Sequence, residues 1–381
     1  MRIKAISLAA LACIATSAHA QSSVTLYGVL DEGFDYTSNV GANHVYELTS
    51  GYASGSRWGM RGAEDLGGGT KAVFQLESGV NLSNGAAGQG GRMFGRQAYV
   101  GLTNKTLGSI KLGRQYDSVV DYLAPTTANG NFAGYLFAHP FDNDNTDNSF
   151  RLNNTVKYTS PSFNGLQFGG TYSFSNDTSF KNNRAVSAGV SYTNGGLLMG
   201  AAYLHASNPG LTDNGALAAN DASFIASNMQ VWGAGINYTF GHATAGFAYT
   251  NSSYANPAGN GYIPGVALDN GSTLKNVKYQ NFEVNGKYQF TPAFFIGAQY
   301  VYSIETYDAA SGTVKPRIHS VGLMADYFLS KRTDVYLQGA YQKVAGASTD
   351  SAMDQAFVPG TQGLSSNSEQ FVARVAVRHA F

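Results

Sequence analysis

From residue 24 to the last residue, apolar and polar side chains alternate one for one in short segments, and this alternation limits the fold more than any other feature. Lys71, Gln75 and Glu77 fall on one face of their segment, and Ala72, Phe74 and Leu76 fall on the other. Arg57 and Arg61 oppose Trp58 and Met60 in the same way, and Arg151, Asn153, Thr155 and Lys157 oppose Leu152, Val156 and Tyr158. A period of two residues marks strands with one wet and one dry face. The punctuation has its own rhythm. Tight turn signals at 64–69, 103–108, 160–165, 194–196, 241–242, 291–293 and 329–334 alternate with longer polar stretches at 38–54, 83–91, 118–150, 175–183, 206–227, 254–275, 307–316 and 345–367. Short turns at one rim and long loops at the other suit an up-and-down barrel.

Strands are predicted to start near residues 22, 45, 56, 70, 92, 109, 151, 166, 184, 197, 228, 243, 276, 294, 317, 333 and 368. Those at 45 and 56 read as one interrupted strand, leaving sixteen, an even number that can close antiparallel. A soluble sandwich would share the periodicity, but three features favour a membrane barrel. Polar residues recur on the inward-type face of nearly every strand, so there is no single dry core. Aromatic residues gather near strand ends, as at Tyr238, Phe240, Tyr288, Phe290, Tyr327 and Phe328, where interfacial girdles belong. The segment Phe371–Phe381 is itself an alternating strand, and every backbone group in a bilayer must be paired. The predicted fold is all-β: a transmembrane antiparallel β-barrel of sixteen strands with short periplasmic turns and long extracellular loops.

Residues 1–20, MRIKAISLAALACIATSAHA, combine a basic start, a short apolar run and a small-x-small site, the pattern of a cleaved export signal. Residues 21–381 would then form the barrel. Cys13, the only cysteine, falls in that leader, so neither disulfides nor thiolate chemistry is expected beyond it. The chain has 24 basic and 24 acidic residues, and losing Arg2 and Lys4 leaves a formal charge of −2. This is no basic footprint for nucleic acid. With 46 Gly, 24 Tyr and 22 Phe and no later apolar run of ~18 residues, the composition fits many short strands rather than membrane helices.

Several stretches carry a family resemblance: QSSVTLYGVLDEGF at 21–34, SRWGMRGAEDLGGGTKAVFQLE at 56–77, GRQAYVGL at 95–102, GSIKLGRQ at 108–115, YFLSKRT at 327–333 and VRHAF at 377–381. Together they resemble the general porins of beta-proteobacterial outer membranes, which include the neisserial and Burkholderia-like trimeric porins. The resemblance implies a homotrimer, a third long loop folded into the lumen, and a terminal Phe381 read by the barrel-assembly machinery. It also implies a location in the outer membrane, among its lipid and lipopolysaccharide, and a water-filled channel for passive diffusion of small hydrophilic solutes and ions.

The insert at 117–150 interrupts the alternation and carries Phe132, Tyr135, Leu136, Phe137 and Phe141, more apolar surface than a solvated linker needs. Folded inward, it would face basic residues on the wall. Arg57 and Arg61 lie on the lumen-type face by parity, as does Arg151; in relatives, basic residues on the wall opposite the loop form one side of the constriction. Arg96 and Arg114 are candidates by motif, but strict alternation puts them with Ala98 and Val100 and with Ile110 and Leu112, so each needs a bulge or a place at the rim. Opposite them, Asp117, Asp121, Asp142, Asp144 and Asp147 are the candidate carboxylates of a transverse field. The arginines lean the expectation toward anions, and the aspartates could reverse it.

No cofactor or metal is expected. DNDNTD at 142–147 lacks the glycine and the twelfth-position acid of an EF-hand, although a loose surface calcium site stays open. Scattered histidines show no metal spacing, and GGGTK at 67–71 is a turn rather than a phosphate loop. No enzymatic activity is expected. The rival readings are a solute-specific channel, a barrel-scaffold enzyme and an adhesin using its long loops.

Overall fold

The computed structural model describes residues 23–381, so the leader lies outside the described residues. Eighteen hydrogen-bonded segments form one antiparallel sheet, and the last wall strand pairs with the first to close it. Two segments, Asn43–Ser50 and Arg57–Gly67, are halves of one interrupted strand, and Gly312–Val314 caps a hairpin, which leaves a closed barrel of sixteen wall strands. They are β1 (Ser23–Val40), β2 (Asn43–Ser50 resuming as Arg57–Gly67), β3 (Thr70–Gly79), β4 (Gln97–Asn104), β5 (Gly108–Gln115), β6 (Leu152–Thr159), β7 (Leu166–Ser173) and β8 (Ala185–Asn194). The second half comprises β9 (Leu197–Ser207), β10 (Asn228–Phe240), β11 (Ala243–Ala255), β12 (Leu274–Thr291), β13 (Phe294–Ala309), β14 (Pro316–Phe328), β15 (Thr333–Gly346) and β16 (Glu369–Ala380).

The alternation resolves into two surfaces. Val24, Leu26, Val100, Leu102, Ile110, Leu112, Leu323, Leu337 and Val375 stand exposed on the outside, where a bilayer would cover them. Tyr238, Phe240, Tyr288, Phe290 and Tyr327 ring the short-turn end, and a second aromatic row runs through Trp232, Tyr249, Phe282 and Tyr302. Along β13, Phe294 to Tyr302 spans about 27 Å at ~3.4 Å per residue. At a strand tilt of roughly 35–45° this rises about 20 Å along the barrel axis, most of the ~25 Å apolar band of an outer-membrane barrel.

Two predicted loops are largely strand. In 38–54, β1 continues to Val40, and Gly41 and Ala42, at φ 54° and 75°, make a two-residue hairpin turn into Asn43. Its polar composition reflects exposure above the apolar band, not irregular backbone. In 307–316, β13 runs on to Ala309 and pairs with Gly312–Val314. The strand predicted near 92 begins at Gln97, because residues 88–91 form a short turn with Gly90 and Gly91 at positive φ.

The seam between β1 and β16 is closed by charge as well as by its ladder. The Arg374 guanidinium, fully buried, bonds Asp31 at 3.1 Å and Asp35 at 2.9 Å and receives the Tyr52 ring at 4.4 Å. At the other end of this seam, Phe381 exchanges both backbone bonds with Gly28, at 3.1 and 3.2 Å.

Candidate pore constriction

Residues 116–151 leave β5, cross the inside of the barrel and return to β6. Their path follows glycines on the facing wall. A Cβ on Gly189 would meet the Tyr122 ring, one on Gly233 would meet Leu123, one on Gly297 Phe132, and one on Gly322 would lie 2.6 Å from the Phe137 ring. These positions lie on β8, β10, β13 and β14 in the order in which the loop passes, so the missing side chains form the groove that holds it. At the far side the Tyr135 N–H donates to the Tyr52 carbonyl at 2.7 Å. That carbonyl lies in the break between the halves of β2, so the interruption in the strand is the dock for the loop.

Polar wall residues fix the return path. His139 donates from Nδ1 to Asp144 at 2.5 Å and from Nε2 to Glu283 at 2.9 Å, with all three side chains fully buried. Burial opposes charge on the ring, but Asp144 and Glu283 outweigh it and raise His139 to about 10. Burial likewise works against the Asp144 carboxylate, yet the charged His139 brings it down to about 2. Glu283 also accepts from the Ala128 N–H at 2.7 Å and from Asn285 at 2.6 Å. Gln299 and Gln338 donate to the carbonyls of Phe137 and Ala133, at 2.8 and 2.6 Å.

The opposite wall, β1 to β6, stays uncovered, and a cavity of about 1250 Å³ lies between it and the loop. Arg57, Glu77, Arg96 and Tyr116 line it together with Tyr135, Asp147, Asn148, Ser149 and Arg151 of the loop and its return. Glu77 accepts from Arg96 Nε at 2.9 Å and from the Tyr27 hydroxyl at 2.8 Å, and lies 3.9 Å from Arg57 Nε. Arg57 also donates to the Gly55 carbonyl at 2.8 Å. Arg151 donates to Asn148 at 2.7 Å and rests over the Tyr116 ring, while its Nε finds no partner among the described residues. Arg61 lies over the Tyr27 ring at 5.0 Å, exposed to the lumen but away from this cavity.

The parity problem at Arg96 has a local cause. Its N–H donates to the Glu77 carbonyl at 3.1 Å although Glu77 is registered with Gln97, so two residues face one and the side chain turns inward. Arg114 is also bulged: the β5–β6 register shifts between Gly113 and Gln115, and Gly113 has φ 134°. Its guanidinium does not line the cavity. It bonds the Gly95 carbonyl at 2.7 Å, Asn153 at 2.5 Å and Asp221 of the loop at 208–227 at 2.5 Å.

Three of the five candidate aspartates do not face water. Asp117 accepts from the Val119 N–H and from Asn145, both at 2.7 Å, and so ties the start of the loop to its end. Asp142 accepts from the Asp147 and Ser149 backbones at 3.0 and 3.2 Å. Asp144 is used up by His139, Thr250 and Asn281. Asp121 pairs with Lys157 beside Lys111, and Asp147 lines the cavity. Burial and the neighbouring Asp142 push the Asp147 carboxyl well above its usual range, against the pull of Arg151 and Arg96. Glu77 was not among the candidates. Its signal was its place as the one acid on the polar face of its strand, across from Arg57. Among the described residues, no group of three or more His, Cys, Asp and Glu converges as a metal site would.

The family model of Gram-negative porins matches residues 7–347. An outer membrane porin protein of Bordetella pertussis is 35% identical over 90% of this chain and 94% of its own length. The outer membrane porin protein 32 of Delftia acidovorans is 38% identical over 50% of this chain and 57% of its own. Among solved structures, an anion-selective porin from Comamonas acidovorans superposes with a TM-score of 0.73 at 25% identity, covering 95% of this chain and all of that one. The trimer form of OmpT from Vibrio cholerae, at TM-score 0.64 and 16% identity, shares the fold. The alternating sheet closed on itself, the loop held inside it and these matches have one explanation: the chain belongs to the Gram-negative porin family, a passive channel of the outer membrane.

Proposed function

We propose that this porin favours anions among the small hydrophilic solutes it passes, and that its selectivity is set where Arg57, Arg96 and Arg151 face Asp147. The observation that carries this is the excess of basic over acidic side chains on the wall that the loop leaves open. The uncovered wall presents Arg57, Arg61, Arg96, Lys111, Arg151 and Lys157, whereas the carboxylates that reach the same space are Glu77, Asp121, Asp147 and Asp221. Asp117, Asp142 and Asp144 are spent on holding the loop, which removes most of the negative side expected from the sequence. Charged rings of this kind set ion preference through the field they impose. The match to a porin described as anion-selective supports the same sign.

The assembly we infer is a homotrimer, exported after removal of residues 1–20 and inserted by the barrel-assembly machinery through Phe381. Reversal potentials across planar bilayers under a KCl gradient test the selectivity. An anion-preferring sign is expected, and a cation-preferring channel overturns the reading.

A further inference from the structure

We propose that Asp221, on the loop at 208–227, sets the charge of the outer pore by masking Arg114. This deepens the reading of the cavity as the ion path and rests on it. Asn220 and Asp221 line that cavity, so the loop reaches over the uncovered wall. Arg114 is bulged inward from β5 and otherwise meets only neutral acceptors: the carbonyls of Gly95 and Arg151 and the Asn153 amide oxygen. Asp221, at 2.5 Å, is its one carboxylate partner among the described residues. Because the Arg151 carbonyl accepts from Arg114 at 3.4 Å, an unmasked guanidinium would add its charge directly beside Arg151.

The position of the loop does not depend on this pair. Leu217 exchanges two bonds with the Asn183 side chain, at 2.9 and 3.0 Å, and the Ala216 carbonyl accepts from the Asn153 N–H at 2.8 Å. Ala216 and Leu217 are fully buried. With the backbone held elsewhere, the carboxylate of Asp221 acts chiefly as a counter-charge, and its loss changes the field more than the shape of the mouth.

The test is Asp221→Cys in the full-length protein, whose only natural cysteine, Cys13, lies in the leader. In planar bilayers at about 0.1 M KCl, where the Debye length is ~10 Å, the anion-to-cation permeability ratio should rise roughly two-fold over wild type. The rise should fade near 1 M, where that length is about 3 Å. A sulfonate-bearing thiosulfonate reagent should return the ratio to the wild-type value, and a trimethylammonium reagent should push it further up. An unchanged reversal potential overturns the proposal, as does a shift that neither reagent moves once mass spectrometry shows the thiol modified, because loop displacement would then be the cause. A wild type without anion preference undoes the proposed function alone, and the difference between variant and wild type still decides this inference.

Discussion

The two walls of this barrel use the same strand pattern to opposite ends. On β8 to β15, the inward positions that touch residues 116–151 are mainly glycines, amides, hydroxyls and Glu283, and these are consumed in holding that loop; Glu305 and Asp326, buried on the same wall, take no part in it. On β1 to β6, the inward positions include long cations and tyrosines gathered around Glu77, with Arg57 half-buried and Arg61 exposed to the lumen. Buried polar groups must be satisfied, so the covered wall stakes stability on each bond. On the uncovered wall Arg57 and Arg61 reach water, so side chains at such positions can be chosen for their field. Substitutions on the first wall should therefore move the loop, and those on the second should move ion selectivity with the fold intact.

The largest effect is expected at Glu283. Glu283→Ala strands a charged His139 with half its partners and frees the Ala128 N–H, a loss of about 3–5 kcal/mol for a broken buried pair. The loop should become open to protease within 117–150 and the channel current noisy; a protease-resistant variant with quiet openings contradicts the joint. The same joint has a pH window. His139 is raised from 6.5 to about 10 in the folded state, so its contribution is whole below pH 6.5 and drains away as pH rises through 10. Loop noise should grow over that range in wild type.

A smaller loss is expected from crowding the groove. In Gly322→Ala the new methyl lies 2.6 Å from the Phe137 ring, and overpacking of this kind costs typically ~1–3 kcal/mol. At Gly339, on the neighbouring strand, the nearest atom is the Phe371 ring at 3.8 Å, so Gly339→Ala should be silent. Thermal unfolding of the two variants in detergent separates them, and equal melting temperatures would mean that the glycines are not the groove.

On the uncovered wall the expected change is in permeation. A unit charge about 5 Å from a passing ion in water is worth ~0.8 kcal/mol, about four-fold in local ion concentration. Arg57→Ser and Arg151→Ser should each lower the anion-to-cation ratio by up to that factor, with the melting temperature unmoved for the half-buried Arg57 and only slightly lowered for Arg151, which is buried and bonds Asn148. If permeation stays unchanged while stability falls, the two residues belong to the packed wall instead.

The contrast also explains what could be read from the sequence. Strand starts at 70, 166, 197, 228, 243, 294 and 333 coincide with those of the structure, because alternation and turn chemistry are local. The break between 50 and 57 was visible, but its use as a dock for Tyr135 was not, since it depends on a contact across the lumen. Arg57 and Arg61 follow from parity; Arg151 reaches the cavity from just before β6, where the alternation is broken and Leu152 is buried inside as well. Arg96 and Arg114 escape parity through bulges, which insert one residue and reverse the face. The aspartates were the least legible. Whether a loop carboxylate meets an arginine or a histidine depends on partners as distant as Glu283 and Asn281, and composition carries no sign of that.

The smallest effect should come from Asp147, where the two walls meet. It belongs to the loop by sequence and to the ion path by position, facing Arg151 and Arg96 across the cavity. Burial and Asp142 push its carboxyl well above the usual ~4, so its titration falls where other exposed carboxylates are already ionised. Below that titration Asp147 is neutral and only Glu77 opposes the arginines; above it, a second negative charge offsets them. The anion-to-cation ratio should therefore fall as pH rises through a step above the ordinary carboxylate range. Because part of the field is already cancelled by Arg151 and Arg96, the step should be less than the four-fold estimated for a free charge. Asp147→Asn should hold the high, acid-side ratio at every pH. If the step survives in that variant, another group controls it, and the loop would contribute shape to the constriction but not charge.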